Sequence, residues 1–364
     1  MPAQLEGHSS RGRGKLTHSR IVVEAFRGRA ALSGPRKARE TMARFQRLRP
    51  AWSTIVGAMK KLVILTAFAV LQIIAHGQTV AERPRILGID HVAFYTSAPD
   101  GVKKLYGDIL GLTSAAPVEP GGTLRYMVGT QWVGYSPAPD PKTADRMDHV
   151  AFATKNVTAL RQYLVAQGIK TPEIQEGSDH SRFFVVEDAE AHRVEFVERD
   201  PKAPISIHGH GSDAQAPWVS RHMIHAGFLV HHRDAEDHFY RDILGFRPYW
   251  HGGMKDDETD WVAMQVPDGT DWVEYMLNQP EHPDLRLTGV MNHISLGVPD
   301  MKNAQAILES HGWKPHADER AKLGKDGKWQ LNIYDPDLTR VELMEFKPVQ
   351  KPCCSDFTGP HPSE

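Results

Sequence analysis

A unit of about 50 to 60 residues recurs four times in this chain, and a recurrence of that length dictates a modular fold. HVAFYTSAPDGVKKLYGDILGL, opening at His91, returns as HAGFLVHHRDAEDHFYRDILGF at His225, with fifteen residues from histidine to tyrosine (Tyr106, Tyr240) in both. Each copy is followed by a related unit of a second kind, opening at His149 (DHVAFAT) and His293 (NHISLGV) and closing at Glu195 (HRVEFVE) and Glu342 (TRVELME). The units span residues 86–139, 146–201, 221–280 and 287–348. Alternation of two unlike kinds argues for pairs of modules rather than a solenoid.

Each unit reads as strand, helix, then short strands, so the expected class is α+β, with four βαβββ modules. In the second unit Asn156 caps a helix whose Val157, Leu160 and Leu164 share a face, and Gly168 stops it. Asp300, the stripe Met301, Ala304, Ile307 and Leu308, and Gly312 repeat that arrangement in the fourth. Two paired-module domains are expected, 86–201 and 221–348, joined by a Pro, Gly and Ser-rich linker at 202–220 and followed by a tail at 349–364. His208 and His210 in the linker read as incidental.

Strand alternation places each opening histidine among small residues: His91 with Ala93, His149 with Ala151 and Ala153, His225 with Gly227, and His293 with Ser295 and Gly297. Val92, Phe94, Val150, Phe152, Ile224, Phe228, Ile294, Leu296 and Val298 take the opposite, helix-packed face. The closing strands put Glu195, Glu274 and Glu342 opposite Val194, Val273 and Val341 in the same manner. A carboxylate inside an apolar strand is costly to bury alone, and a divalent cation shared with histidines offsets that cost. WVGY in the first unit stands where the third has WVEY, so Gly134 occupies the place of Glu274. That substitution marks either a retired site or one opened for an exogenous ligand.

The βαβββ units with opening His and closing Glu resemble the vicinal oxygen chelate superfamily, which includes glyoxalase I, extradiol dioxygenases and antibiotic-binding resistance proteins. The resemblance covers about residues 86 to 348 and implies a cupped sheet from each module pair, holding one metal. By that resemblance His225, Glu274, His293 and Glu342 form the preferred, glyoxalase-type set, with Glu274 as a base once detached from the metal. His91, His149 and Glu195 form the two-His, one-carboxylate set of extradiol dioxygenases. Three ligands leave three positions on a six-coordinate Fe(II) or Mn(II); four leave two and suit Lewis-acid chemistry on Zn(II), Ni(II) or Co(II). The overall plan resembles the extradiol dioxygenases most, implying oxygen chemistry on a small catechol-like substrate. A glyoxalase-type isomerase, lyase or epimerase is the alternative, and a non-catalytic binding protein the third. Two departures from the dioxygenases stand out: WVAMQV (Trp261 to Val266) lacks their acid-base His, and Asn332 stands where they carry Tyr. His231, His232, His238 and His251 lie near in sequence without a spacing that brings them to a metal.

The N-terminus differs from the rest. Residues 1–58 hold twelve Lys or Arg against three acidic residues, without apolar period, and read as a non-native or disordered extension. Met59-Lys60-Lys61, a largely apolar run of fourteen residues from Leu62 to Ala75, and Ala75-His76-Gly77 read as a signal peptide at 59–77, too short for a spanning helix. An Arg-rich transit segment or an uncleaved anchor is the alternative. Met59 is then the expected start, Gln78 the mature N-terminus, and the protein exported. From Gln78 onward 29 basic residues face 42 acidic ones, which argues against nucleic acid and anionic membranes as partners. No motif supports glutathione or coenzyme A. The two cysteines, Cys353 and Cys354, are adjacent and supply no disulfide framework; they are expected in a solvated tail.

Overall fold

The computed structural model describes residues 82–117, 122, 124–140, 142–200, 218–316 and 319–364. The expected extension, the signal peptide and most of the linker, with His208 and His210, lie outside them. Among the described residues no helix is long and apolar enough to cross a membrane.

Four βαβββ modules are present. The first holds β1 (Ile86–Thr96), α1 (Pro99–Val102, continuing in π form over Lys103–Ile109), β2 (Thr113–Ser114), β3 (Leu124–Val128) and β4 (Gln131–Pro137). The second holds β5 (Met147–Thr154), α2 (Val157–Ala166), β6 (Gln175–Glu176), β7 (Arg182–Glu187) and β8 (Arg193–Glu198). In the third, β9 (His222–Leu229) leads to α3 (Arg233–Asp237, continuing in π form over His238–Ile243), β10 (Arg247–Gly252), β11 (Trp261–Gln265) and β12 (Trp272–Met276). An unexpected turn of helix, α4 (Leu285–Met291), precedes β13 (His293–Val298), α5 (Met301–Ser310), β14 (Lys322–Leu323), β15 (Trp329–Tyr334) and β16 (Arg340–Glu345). Asp284 caps α4 through the Leu287 amide at 2.8 Å, a signal the repeat comparison does not contain.

Two eight-stranded mixed sheets result, ordered β2-β3-β4-β1-β5-β8-β7-β6 and β10-β11-β12-β9-β13-β16-β15-β14. The modules of a pair join through their opening strands, β1 to β5 and β9 to β13, both antiparallel. Closing strands β4, β8, β12 and β16 flank them in parallel. Each sheet therefore has its four chemistry-bearing strands at its centre.

The helix-packed faces of both sheets feed one continuous apolar core. Val92, Phe94, Phe152, Phe228, Leu296 and Val341 belong to it, as does Phe152 packed edge-on against Phe246 with centroids 5.3 Å apart. The predicted caps form: Asn156 accepts from the Ala159 amide at 2.9 Å and Asp300 from that of Asn303 at 2.6 Å. Gly168 and Gly312 take φ of +83° and +87°, the left-handed stop that glycine adopts at little cost.

Three expectations change. Ile224 does not share the helix-packed face with Phe228, because β9 bulges there: Ser295 pairs His225 and Leu296 pairs Met223. Its side chain turns into a separate cluster with Trp250, Trp272 and Phe346 on the other face. Trp218 to Ser220 belong to the packed structure rather than to a flexible linker, since Val219 is buried and its amide reaches the Leu110 carbonyl. The tail is not solvated throughout. It runs along the third module, with Thr358 on the Tyr249 carbonyl, His361 on the Tyr249 hydroxyl at 2.6 Å and Phe357 against Tyr249, while Cys353 and Cys354 are bonded to each other.

Candidate functional site

Register explains how six residues distant in sequence meet. In the first sheet His91 pairs Trp132 on one side and Ala151 on the other, and Ala151 in turn pairs Glu195. The adjacent row runs Gly134, Ala93, His149, Arg193. The second sheet repeats both rows, as Trp272, His225, Ser295, Glu342 and as Glu274, Gly227, His293. Small residues between the larger ones leave room for the imidazoles to lean together. At Gly227 the demand is strict, for a Cβ there would lie 2.1 Å from the His293 ring.

Two buried triads follow, His91–His149–Glu195 and His225–His293–Glu342, each with its ligand atoms within 4.8 Å of one another. His91 and His149 face each other Nε2 to Nε2 at 3.0 Å, and Glu195 lies 3.8 Å from both. Their Nδ1 atoms are occupied by Asp90 at 2.7 Å and Asp148 at 2.9 Å. A neutral imidazole donating from Nδ1 presents its lone pair at Nε2, so in that tautomer both histidines turn lone pairs toward the Glu195 carboxylate. Metal-binding histidines are oriented in this manner by carboxylates behind them.

In the second sheet His225 and His293 meet Nε2 to Nε2 at 3.1 Å, with Glu342 3.3 Å from His225. His293 Nδ1 donates to the Met291 carbonyl at 2.7 Å, while His225 Nδ1 is buried without a partner. Burial, with the Arg340 charge second, holds both imidazoles well below their usual range, so they stay neutral; Arg340 Nη2 lies 2.7 Å from His293 Nε2, a contact a cation would displace. Glu274 lies 3.7 Å from His225 and 3.6 Å from His293 but outside the compact triad. Burial, then the charge of Glu342, pushes its carboxyl up to about 8. Glu342 is also raised by burial, opposed by Arg340. The donor sets of both triads fit a divalent cation, which would relieve the convergence of lone pairs and the buried negative charge together.

What lies in front of the triads differs. Trp132 stacks on His91 at 3.8 Å, and Arg125 covers its outer face at 4.6 Å. The space at Gly134 is filled by that indole, since a Cβ would come 2.5 Å from it, so the position is covered rather than open. In the second sheet a cavity of about 310 Å³ opens on Glu274 and Glu342. Trp250, Trp261, Trp272 and Phe357 wall it, and Lys322, Lys325, Lys328 and Arg340 bring positive charge to it against Asp326, Glu274 and Glu342.

The chain belongs to the glyoxalase/bleomycin resistance protein/dioxygenase superfamily. That family model matches residues 88–196 and 222–343, which are the two sheets. Structural likeness agrees with this membership. A variant of homoprotocatechuate 2,3-dioxygenase from Brevibacterium fuscum is 18% identical, with 77% of this chain and 75% of that one covered at a TM-score of 0.56. The same enzyme in an anaerobic complex with 3,4-dihydroxyphenylacetate is 17% identical, with 73% and 82% covered at 0.53. The 2,3-dioxygenase LapB from Pseudomonas sp. KL28 is 16% identical, with 77% and 95% covered at 0.51. No curated protein matches the chain in sequence.

Lys328 is the superfamily member's least expected cavity residue. It is fully buried, its Nζ has no hydrogen-bond partner, and it sits 4.7 Å from the Trp272 ring centroid. Burial lowers its ammonium to about 8, against the pull of Asp326, Glu342 and Glu274. The available signal was the alternation of Lys328, Gln330 and Asn332 against Leu331 and Ile333. All three polar residues line the cavity. None of the neighbouring histidines does so: His231 and His232 meet Glu190, His238 meets Asp242, and His251 meets Ser355.

Proposed function

We propose that the second sheet is a metal-dependent catalytic site for a small, flat, anionic substrate bearing vicinal oxygens, with dioxygenase-like chemistry as the preferred reaction. The observation that carries this is the cavity that opens on Glu342 of the two-His, one-carboxylate triad, aromatic in its walls and cationic at Lys328 and Arg340. His225, His293 and Glu342 would hold the ion. A bound Fe(II) or Mn(II) supplies Lewis acidity and open positions for a chelating substrate and dioxygen.

The remaining tasks fall to the chain. Trp250, Trp261 and Trp272 offer faces against which a planar ring packs and excludes water. Lys328 and Arg340 neutralise substrate charge in a medium where a fixed cation is worth far more than in water. Glu274, which approaches both imidazoles, is placed to exchange a proton with a substrate hydroxyl, the task assigned to histidine in the extradiol relatives. The first sheet, capped by Trp132, is assigned a structural ion.

Similarity to homoprotocatechuate 2,3-dioxygenase supports the substrate class, as do the cavity's size and charge. Fe(II) protein loaded without oxygen is expected to consume dioxygen with 3,4-dihydroxyphenylacetate or a related catechol, and no uptake across a catechol panel overturns the oxygen reading. The approach of Glu274 to both imidazoles favours a second reading, glyoxalase-type proton transfer, in which Zn(II), Ni(II) or Co(II) supports turnover without oxygen. Export is proposed on the leader alone, and a mature N-terminus at Gln78 in mass spectrometry tests it.

A further inference from the structure

The two halves also meet through exchanged hairpins, and the two junctions are built alike. Asp188, after β7, accepts from the Glu190 and His192 amides, and Asp335, after β15, accepts from those of Asp337 and Thr339, all within 3.0 Å. Ala191 and Leu338 take φ of +68° and +66° at the same place. Glu190 then receives the His231 and His232 amides ahead of α3, and Asp337 receives the Ser97 amide ahead of α1. A tyrosine hydroxyl reaches each aspartate, Tyr240 to Asp188 at 3.2 Å and Tyr135 to Asp335 at 3.4 Å.

Two of their sequence differences bear on the buried seam. Where one junction has Thr339 and buried Val102, the other has His192 and Glu236, with Val102 and Glu236 each eleven residues after an opening histidine. Glu236 is 0% exposed and neither of its carboxylate oxygens has a hydrogen-bond partner. The His192 charge, and after it the Glu190 backbone amide, favour its charged form, the amide short of hydrogen-bond geometry. His192 Nδ1 lies 2.9 Å from Asp188 Oδ2, and the Asp188 side chain is wholly inaccessible. A shared proton accounts for that spacing, and so does a shared cation, whose neighbouring ligands at about 2.0–2.2 Å stand about 3 Å apart. Asp188, His192 and Glu236 bring their ligand atoms within 4.8 Å of one another.

From the unpartnered Glu236 carboxylate and the paired gain of His192, we infer that Asp188, His192 and Glu236 form a third divalent-cation site, for Zn(II) or Mn(II), stapling the second module to the third. The twin junction shows that the fold closes with valine and threonine in these places. A buried carboxylate beside a second one is therefore not a folding requirement, and a divalent ion neutralises the pair while satisfying the orphaned oxygens. The assignment is independent of any reaction at the sheets.

Glu236→Val and His192→Thr import the twin's own residues, so both variants are expected to fold. After equilibration with Zn(II) alone and removal of excess, elemental analysis should show each variant one equivalent short of the unaltered protein, with the equivalents at the sheet triads kept. The Zn(II)-dependent rise in melting temperature should shrink in parallel. Anomalous diffraction from a Zn(II)-soaked crystal of the unaltered protein should place a peak between the three side chains. Unchanged stoichiometry in both variants, or no peak at that position, overturns the site and leaves a protonated Glu236 in its place.

Discussion

At the scale of single residues, the first sheet has a covered glycine where the second has Glu274. Gly134 is buried under Trp132, and that indole is stacked between His91 and Arg125. Gly134→Glu is thus expected to cost at least about 1–3 kcal/mol by overpacking, more if the carboxylate stays charged, without creating a fourth ligand. Urea unfolding measures the loss, and a stable variant with tightened metal binding would contradict it. Lys328 yields a second expectation. Below about pH 8 it carries its proton and attracts an anion; above, it does not. Affinity for an aromatic carboxylate, whose charge is constant over this range, should fall as pH rises through about 8, and Lys328→Met should lessen the fall in calorimetric titration, leaving the part due to Glu274, which ionises over the same range. Such residues are hard to read from sequence, because a lysine before a strand is ordinarily solvated.

Among elements, the hairpin after β15 is the clearest source of stability beyond the core. Asp337 binds Thr96 Oγ1 at 2.6 Å and the Ser97 amide at 2.9 Å, with the buried Arg146 guanidinium 3.5 Å away. Burial alone would raise its carboxyl, but the Ser97 and Thr96 donors outweigh burial and hold it below the usual range. A depressed carboxylate stabilises the fold at pH above the unfolded value of about 3.9, and that contribution is lost as pH falls through the lower folded value. Asp337→Ala should cost about 2–4 kcal/mol at neutral pH, and the gap from the unaltered protein should close below about pH 4 in denaturant titrations. The helices were legible because caps, apolar stripes and stop glycines are local. β9 was legible only in part. Its alternation predicts His225 and Gly227 on one face, yet the bulge at Ile224, set by pairing with β13, sends that side chain where alternation does not.

For the whole molecule, the tail completes the working cavity. Phe357 closes one wall, and the Lys328 Nζ lies 5.2 Å from its ring centroid. Removing residues 352–364 should weaken aromatic-ligand binding about tenfold or more and lower the melting temperature, because Tyr249 and Trp250 lose the side chain packed on them. Equal affinity after truncation would show the tail to be a bystander. The sequence by itself determined four βαβββ modules, their pairing and two His-His-Glu sets, since a period-two strand fixes the face of every residue it carries. Tertiary structure alone decided the rest. Trp132 closes one triad while a cavity opens on the other, Glu274 stands apart from its triad, Lys328 enters the cavity, and Glu236 meets Asp188 and His192 across the halves. These outcomes depend on cross-strand neighbours and exchanged hairpins, contacts between residues too far apart in the chain for any local pattern to record.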